Sequence, residues 1–350
     1  MNLSLTETQS RAIKILVFLA TVLVVMRHGL NLHHFYPGGG ASMPVGDFNI
    51  FIQRFISELT AVAIPCFFAV SGFLFFLGAN NFSEISAKLK RRVKTLLIPF
   101  LLWNVLFITL WALLYGLVPS LREQLIHSFG IDFSLSWFAK RLTVSPIVGQ
   151  FWYIRTLIII CLFTPIMRLS YRSKIISIMV LALLMRNWQI VDCRIFSTEG
   201  IFCFYLGGLI GYNQWHQGIR YSEYSWLLLP VIAGMIVNDI LPFGFPGSWY
   251  LRIFLSMIAL CQISLFLAEQ PCAGVKFAAM NRYSFFIYAI HASFLAALSL
   301  ILGRCLPHLP WISLLQYFLC VILTIFVSCI SAVLIQKTMP RFYSVLTGGR

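Results

Sequence analysis

Arg27, His28, Glu58, Arg155 and His291 fall inside, or at the ends of, long apolar runs of the sequence. An ionisable side chain at bilayer depth costs a few kcal/mol at least, so each marks a functional position unless it has a structural partner. Their types suggest one kind of chemistry. An imidazole held by a carboxylate is a general base, because the carboxylate selects the tautomer and stabilises the imidazolium that forms. A guanidinium in a water-poor site can hold a carbonyl or a developing oxyanion. On spacing alone a structural reading stands beside the catalytic one: Glu58 pairs with Arg155 or Arg54, and His28 bonds a backbone carbonyl.

Other signals are weaker. His33 and His34 follow His28 near Asp47, but adjacent histidines without a third close ligand make a poor metal site, so no metal is expected. There is no Gly-x-Ser-x-Gly elbow, no His-x-x-x-x-Asp pattern after His28 and no phosphate-binding glycine loop; Gly38, Gly39 and Gly40 read as a turn. The nine cysteines lie mostly in apolar stretches, lack Cys-x-x-Cys spacing and read as small core hydrophobes.

The elements that must position these residues are membrane spans. Of 350 residues, 59% are hydrophobic and 11% charged, against about 25% charged in an ordinary soluble domain. With 26 Lys and Arg and 11 Asp and Glu, the chain cannot cover a soluble core of this size with charge. The net charge of +15 would suit nucleic acid if it formed a stripe on a soluble face, but the basic residues sit in short gaps between apolar runs, so no nucleic-acid partner is expected. A span needs about 20 apolar residues to cross about 30 Å of hydrocarbon. Ten segments qualify or nearly do: 12–30, 55–77, 93–117, 151–169, 175–190, 195–212, 226–241, 249–268, 284–302 and 311–335. The first is read as a retained span, since no small-residue cleavage site comes after it.

The expected fold is therefore all-α and polytopic, a single transmembrane domain over residues 1–350 with about ten helices and no separate soluble domain. Alternate loops on one side collect 16 of the 26 Lys and Arg, most densely between Lys88 and Lys94, which puts both termini in the cytoplasm by the positive-inside rule. The longest connection, 118–150, then faces outward and carries an amphipathic stretch at 135–142. Gly207 and Gly211 form a small-xxx-small pair, a mark of close helix packing. His28 lies 16 residues above residue 12, about 24 Å up the helix. Glu58, Trp152 and Arg155 lie near the tops of descending spans, at a similar level. Tyr288 and His291, three residues apart, share a helix face.

Several stretches carry a family likeness: Val-Val-x-x-His ending at His28, AIPCFFAVSGF at 63–73, KLKRRVKTLLIPFLLWN at 88–104, QFWYIRTLIIICLFTP at 150–165, RYSFFIYAIH at 282–291 and LTGGR at 346–350. Together and in this order they resemble the membrane-bound acyltransferase-3 family of bacterial O-acyltransferases. The resemblance implies ten helices in the bacterial inner membrane. It also implies transfer of an acyl group, usually acetyl, from cytoplasmic acyl-CoA to a hydroxyl of a cell-envelope carbohydrate or related acceptor. His28 takes the position of the family's essential histidine, and Arg91 and Arg92 those of the basic residues that meet the CoA donor. In one respect the chain departs: the family's Arg eleven residues before the histidine is Val17 here, with Lys14, Arg27 and Arg155 as stand-ins.

The resulting expectation is an O-acetyltransferase-like enzyme acting in polysaccharide modification. His28 is its general base or transient acyl carrier, and Glu58 orients His28. Arg27, Trp152, Arg155, Tyr288 and His291 line the substrate site, and Arg91 and Arg92 hold CoA phosphate. The competing class is a transporter or flippase for a lipid-linked sugar, in which a buried His and Glu relay protons.

Overall fold

The computed structural model describes residues 5–30, 47–79, 81–123, 126, 130–132, 134–187, 192–193, 196–241, 248–306 and 310–349, and helices are numbered over these. His33, His34, Gly38, Gly39 and Gly40, and the side chain of Asp47, lie outside them. The structure is all-α: α1 Glu7–Leu30, α2 Asp47–Thr60, α3 Ala63–Phe76, α4 Phe82–Arg92, α5 Ile98–Leu117, α6 Leu135–Leu142, α7 Trp152–Leu162, α8 Thr164–Tyr171, α9 Lys174–Arg186, α10 Thr198–Tyr212, α11 Leu228–Ile240, α12 Ser248–Glu269, α13 Ala273–Cys305, α14 Pro310–Thr338 and α15 Pro340–Thr347. Among the described residues, the strand pairing is one two-residue antiparallel contact, Asp192 with Ser197 and Cys193 with Phe196.

The described parts of all ten apolar segments are mainly helical, but their helices differ in length. Six stretches are long and apolar enough to cross a membrane, and a seventh arises if α7 and α8, bent by 59°, count as one broken span. The other three segments become α9, α10 and α11, of 13, 15 and 13 residues. At about 1.5 Å per residue these reach only about 20–22 Å, short of the hydrocarbon thickness. Apolar length alone does not separate the two kinds of burial: α10 owes its apolar composition to burial within the protein, where Phe202, Cys203, Phe204 and Tyr205 are all enclosed. The long helices instead carry exposed apolar residues suited to lipid, such as Leu113, Ile322 and Phe326.

The closest helix pair is α3 with α10, and the reason is glycine. A Cβ on Gly207 would overlap the Ala69 carbonyl, and one on Gly72 would overlap the Phe204 carbonyl. Without side chains there the two backbones meet directly, as the spacing of Gly207 and Gly211 predicts. Around this pair α1, α13 and α14 pack as a long-helix layer, with Tyr317 of α14 donating to the Met26 carbonyl of α1 at 2.8 Å.

The ends are set locally. Asn81 caps α4 in a reciprocal box: its side chain accepts from the Glu84 N–H at 2.8 Å, while the Glu84 carboxylate accepts from the Asn81 N–H at 3.3 Å. The amphipathic helix expected at 135–142 forms as α6, started by Ser134 accepting from the Trp137 N–H at 3.1 Å, with Trp137 buried and Leu135 exposed.

Candidate active site

The bundle brings two histidines together from opposite ends of the chain. His28, in the last turn of α1, meets His291 of α13 edge to face, with ring centroids 4.9 Å apart at 64°. His291 is fully buried, and its Nδ1 lies 2.8 Å from the Tyr288 carbonyl and 3.2 Å from that of Ile287. Carbonyls only accept, so Nδ1 carries the proton and Nε2 presents a lone pair. Nε2 has no hydrogen-bond partner among the described residues.

Tyr288, one turn before His291, is held on every side. Its ring stacks on Phe151 at 5.9 Å and meets Tyr153 edge-on at 5.9 Å, and its hydroxyl donates to the Gln150 carbonyl. Gln150 returns a bond from Nε2 to the Ala289 carbonyl at 3.0 Å. Such a doubly tied ring has one position.

Below Tyr288 opens a cavity of about 710 Å³ between α1, α3, the turn after α4, α7 and α13. Its inner end is lined by Thr21, Phe67, Tyr153 and Tyr288, and its mouth by Ser10, Lys14, Arg92, Asn281 and Arg282. No carboxylate lines it among the described residues. Three cations without a counter-charge in a concave site focus a positive potential and attract a polyanion. The histidine pair lies beyond Tyr288 rather than in the cavity wall, with the Tyr288 and His291 centroids 6.0 Å apart.

Several expected site residues have other occupations. Glu58, expected to orient His28, gives its carboxylate to Arg252 Nη2, while Arg252 Nη1 donates to the Glu58 carbonyl at 2.7 Å and Arg252 Nε to Asp239 Oδ2 at 2.7 Å. Glu58 sits on a helix turned so that its side chain meets Arg252 of α12. Arg252, fully buried, is a partner that the sequence reading does not single out; an arginine within an apolar run is the signal that could have found it. Arg27 donates to the carbonyl and hydroxyl of Ser57. Arg155 donates to the Val144 carbonyl, pinning the long connection, and Trp152 is 37% exposed and outside the cavity wall.

The basic run also divides. Arg92 faces the cavity, reaching the Ser71 carbonyl at 3.4 Å and lying over Phe75 at 5.8 Å. Arg91, expected beside it, is exposed and not in the cavity wall, because neighbouring helical residues point about 100° apart. Lys88 closes the end of α3, donating to the carbonyls of Phe75 at 2.7 Å and Leu77 at 2.5 Å. Val17 lines the cavity one turn from Lys14, so of the three stand-ins for the family's arginine it is Lys14 that shares its space. Arg282 is a further cation that the sequence reading does not single out.

These features sit in a membrane acyltransferase. Residues 11–333 match the family described as "Acyltransferase domain", and the chain belongs to it. It is similar to the succinoglycan biosynthesis protein ExoH of Rhizobium meliloti (strain 1021), 24% identical over 323 residues that cover 85% of this chain and 82% of ExoH. No solved structure matches. The family settles the choice between an enzyme and a transporter in favour of the enzyme.

Proposed function

We propose that the protein is an O-acyltransferase of the bacterial inner membrane, with both termini in the cytoplasm. It moves an acyl group, most simply acetyl, from acyl-CoA to a hydroxyl of a cell-envelope carbohydrate. The observation that carries this is the 710 Å³ cavity whose mouth holds Lys14, Arg92 and Arg282 and whose far end is closed by Tyr288 in front of the His28–His291 pair. The charge set fits the donor: CoA is a phosphate-rich anion, and guanidinium and ammonium groups are its natural ligands. The side on which Lys and Arg accumulate supports a cytoplasmic mouth, where acyl-CoA is found. ExoH is named for the biosynthesis of a polysaccharide, which favours a carbohydrate acceptor.

In this reading His28 takes the proton of the acceptor hydroxyl as its oxygen attacks the thioester carbonyl. The carbon–sulfur bond breaks, the departing thiolate takes the proton from the His28 imidazolium, and an ester and free CoA leave. His291, its tautomer fixed by two backbone carbonyls, packs edge to face on the His28 ring and fixes its orientation. Incubating membranes with labelled acetyl-CoA and tracing label into carbohydrate tests the proposal. His28→Ala should lower transfer by about 10²–10⁴-fold while the protein accumulates normally. Unchanged transfer would end the assignment.

A further inference from the structure

The chain's last helix contributes no residue to the lining of the donor cavity, yet it is built onto both helices that bring arginine there. α4 and α5 are one helix interrupted by a π-helical turn, Val93–Leu97, that begins directly after Arg92. An inserted residue rotates the remainder of a helix by about 100°. This lets Arg92 and Leu96 face the cavity while Phe100 and Trp103 face the core. A wide turn of this kind is rare and is found frequently at functional sites.

The end of α15 lies against it. Gly348, at φ 68°, closes α15 with the paired bonds of a Schellman end: its N–H donates to Val345 at 3.3 Å, and the Gly349 N–H to Ser344 at 2.7 Å. A Cβ on Gly348 would stand 2.6 Å from the Thr95 carbonyl oxygen, at the centre of the π turn. Trp103 Nε1 donates to the Leu346 carbonyl at 3.1 Å. Tyr343 packs on Phe286 at 5.8 Å, one turn beyond Arg282 on α13.

We propose that α15, through Gly348 on the π turn, is a brace that positions Arg92 for the donor: a binding determinant outside the cavity. This rests on the reading of Arg92 as a phosphate ligand. The brace explains why a glycine with left-handed backbone is needed at 348 beyond ending the helix: backbone must approach backbone there.

The test is equilibrium binding of labelled acetyl-CoA to the full chain in lipid nanodiscs. Gly349 is the control, since it too has positive φ, at 75°, but open space around its Cβ position. Gly348→Ala should weaken binding about tenfold and Gly349→Ala by less than about twofold. With Arg92→Ala already present, Gly348→Ala should cost little more, because both changes act on one interaction. Equal binding by the two glycine variants, or a Gly348→Ala loss undiminished in the Arg92→Ala background, overturns the brace. If Arg92→Ala alone binds like wild type, the phosphate reading falls and the brace with it; if Arg92→Ala weakens binding and Gly348→Ala does not, the brace alone falls. Should Gly348→Ala fail to accumulate, Trp103→Phe, which removes one hydrogen bond and keeps an aromatic ring, replaces it with an expected loss of about threefold and the same criteria.

Discussion

Two groups of ionisable residues differ in the folded chain: one is paired internally around the buried Arg252, and the other lines a cavity. Arg252, Glu58 and Asp239 form a closed set: each formal charge has an opposite partner within bonding distance, and Ser248 adds a bond to Asp239. The set ties α2, α11 and α12 into one wall. In the other group, Lys14, Arg92 and Arg282 share a cavity with no carboxylate among the described residues, and His28 and His291 face one another at its far side. In the first group every charge is already engaged by a partner in the fold. In the second the cations have no carboxylate beside them among the described residues and are available to a ligand, so the comparison locates function there although Glu58 belongs to the first.

Substitutions can sharpen this contrast. The largest effect is expected at the closed set. Arg252→Ala leaves two carboxylates without their guanidinium, a loss of about 3–5 kcal/mol, and should be read as poor accumulation and a lowered unfolding temperature in membranes; molecules that do fold should keep their specific transfer rate. If instead a well-folded Arg252→Ala protein lost transfer selectively, the division between the two groups would be broken. Next is His291→Gln, which keeps polarity but removes the ring against His28. It should lower transfer by about 10²-fold with normal accumulation, whereas Glu58→Gln should act on accumulation first. The smallest effect separates neighbours: Arg92→Ala should weaken acetyl-CoA binding about tenfold, and Arg91→Ala, on the exposed side of α4, should leave it within about twofold. Equal losses at 91 and 92 would mean that the cluster attracts CoA as a diffuse field and not through a placed guanidinium.

Much of the fold is legible without coordinates. Apolar runs and their flanking charges predict an all-α membrane bundle, because unsatisfied backbone groups are too costly in lipid for anything but helix or closed barrel. Gly207 and Gly211 announce a close contact, and Ser134 with the 135–142 pattern announces α6. The count of crossings is less legible, since burial in protein and burial in lipid select the same residues; among the described residues six to seven stretches pass by length and composition.

For the site, sequence determined the types and the level: a histidine near the end of α1, arginines within apolar runs, and a basic cluster before α5. Rise per residue converts position along the chain into depth with little ambiguity. Tertiary structure alone decided the pairings. Which of Glu58 and His291 meets His28, and which of Arg91, Arg92 and Arg282 faces the cavity, depends on the rotation of each helix about its axis. A single π turn shifts that rotation by about 100°, and helices far apart in the chain, α1 and α13, become neighbours only when the bundle packs.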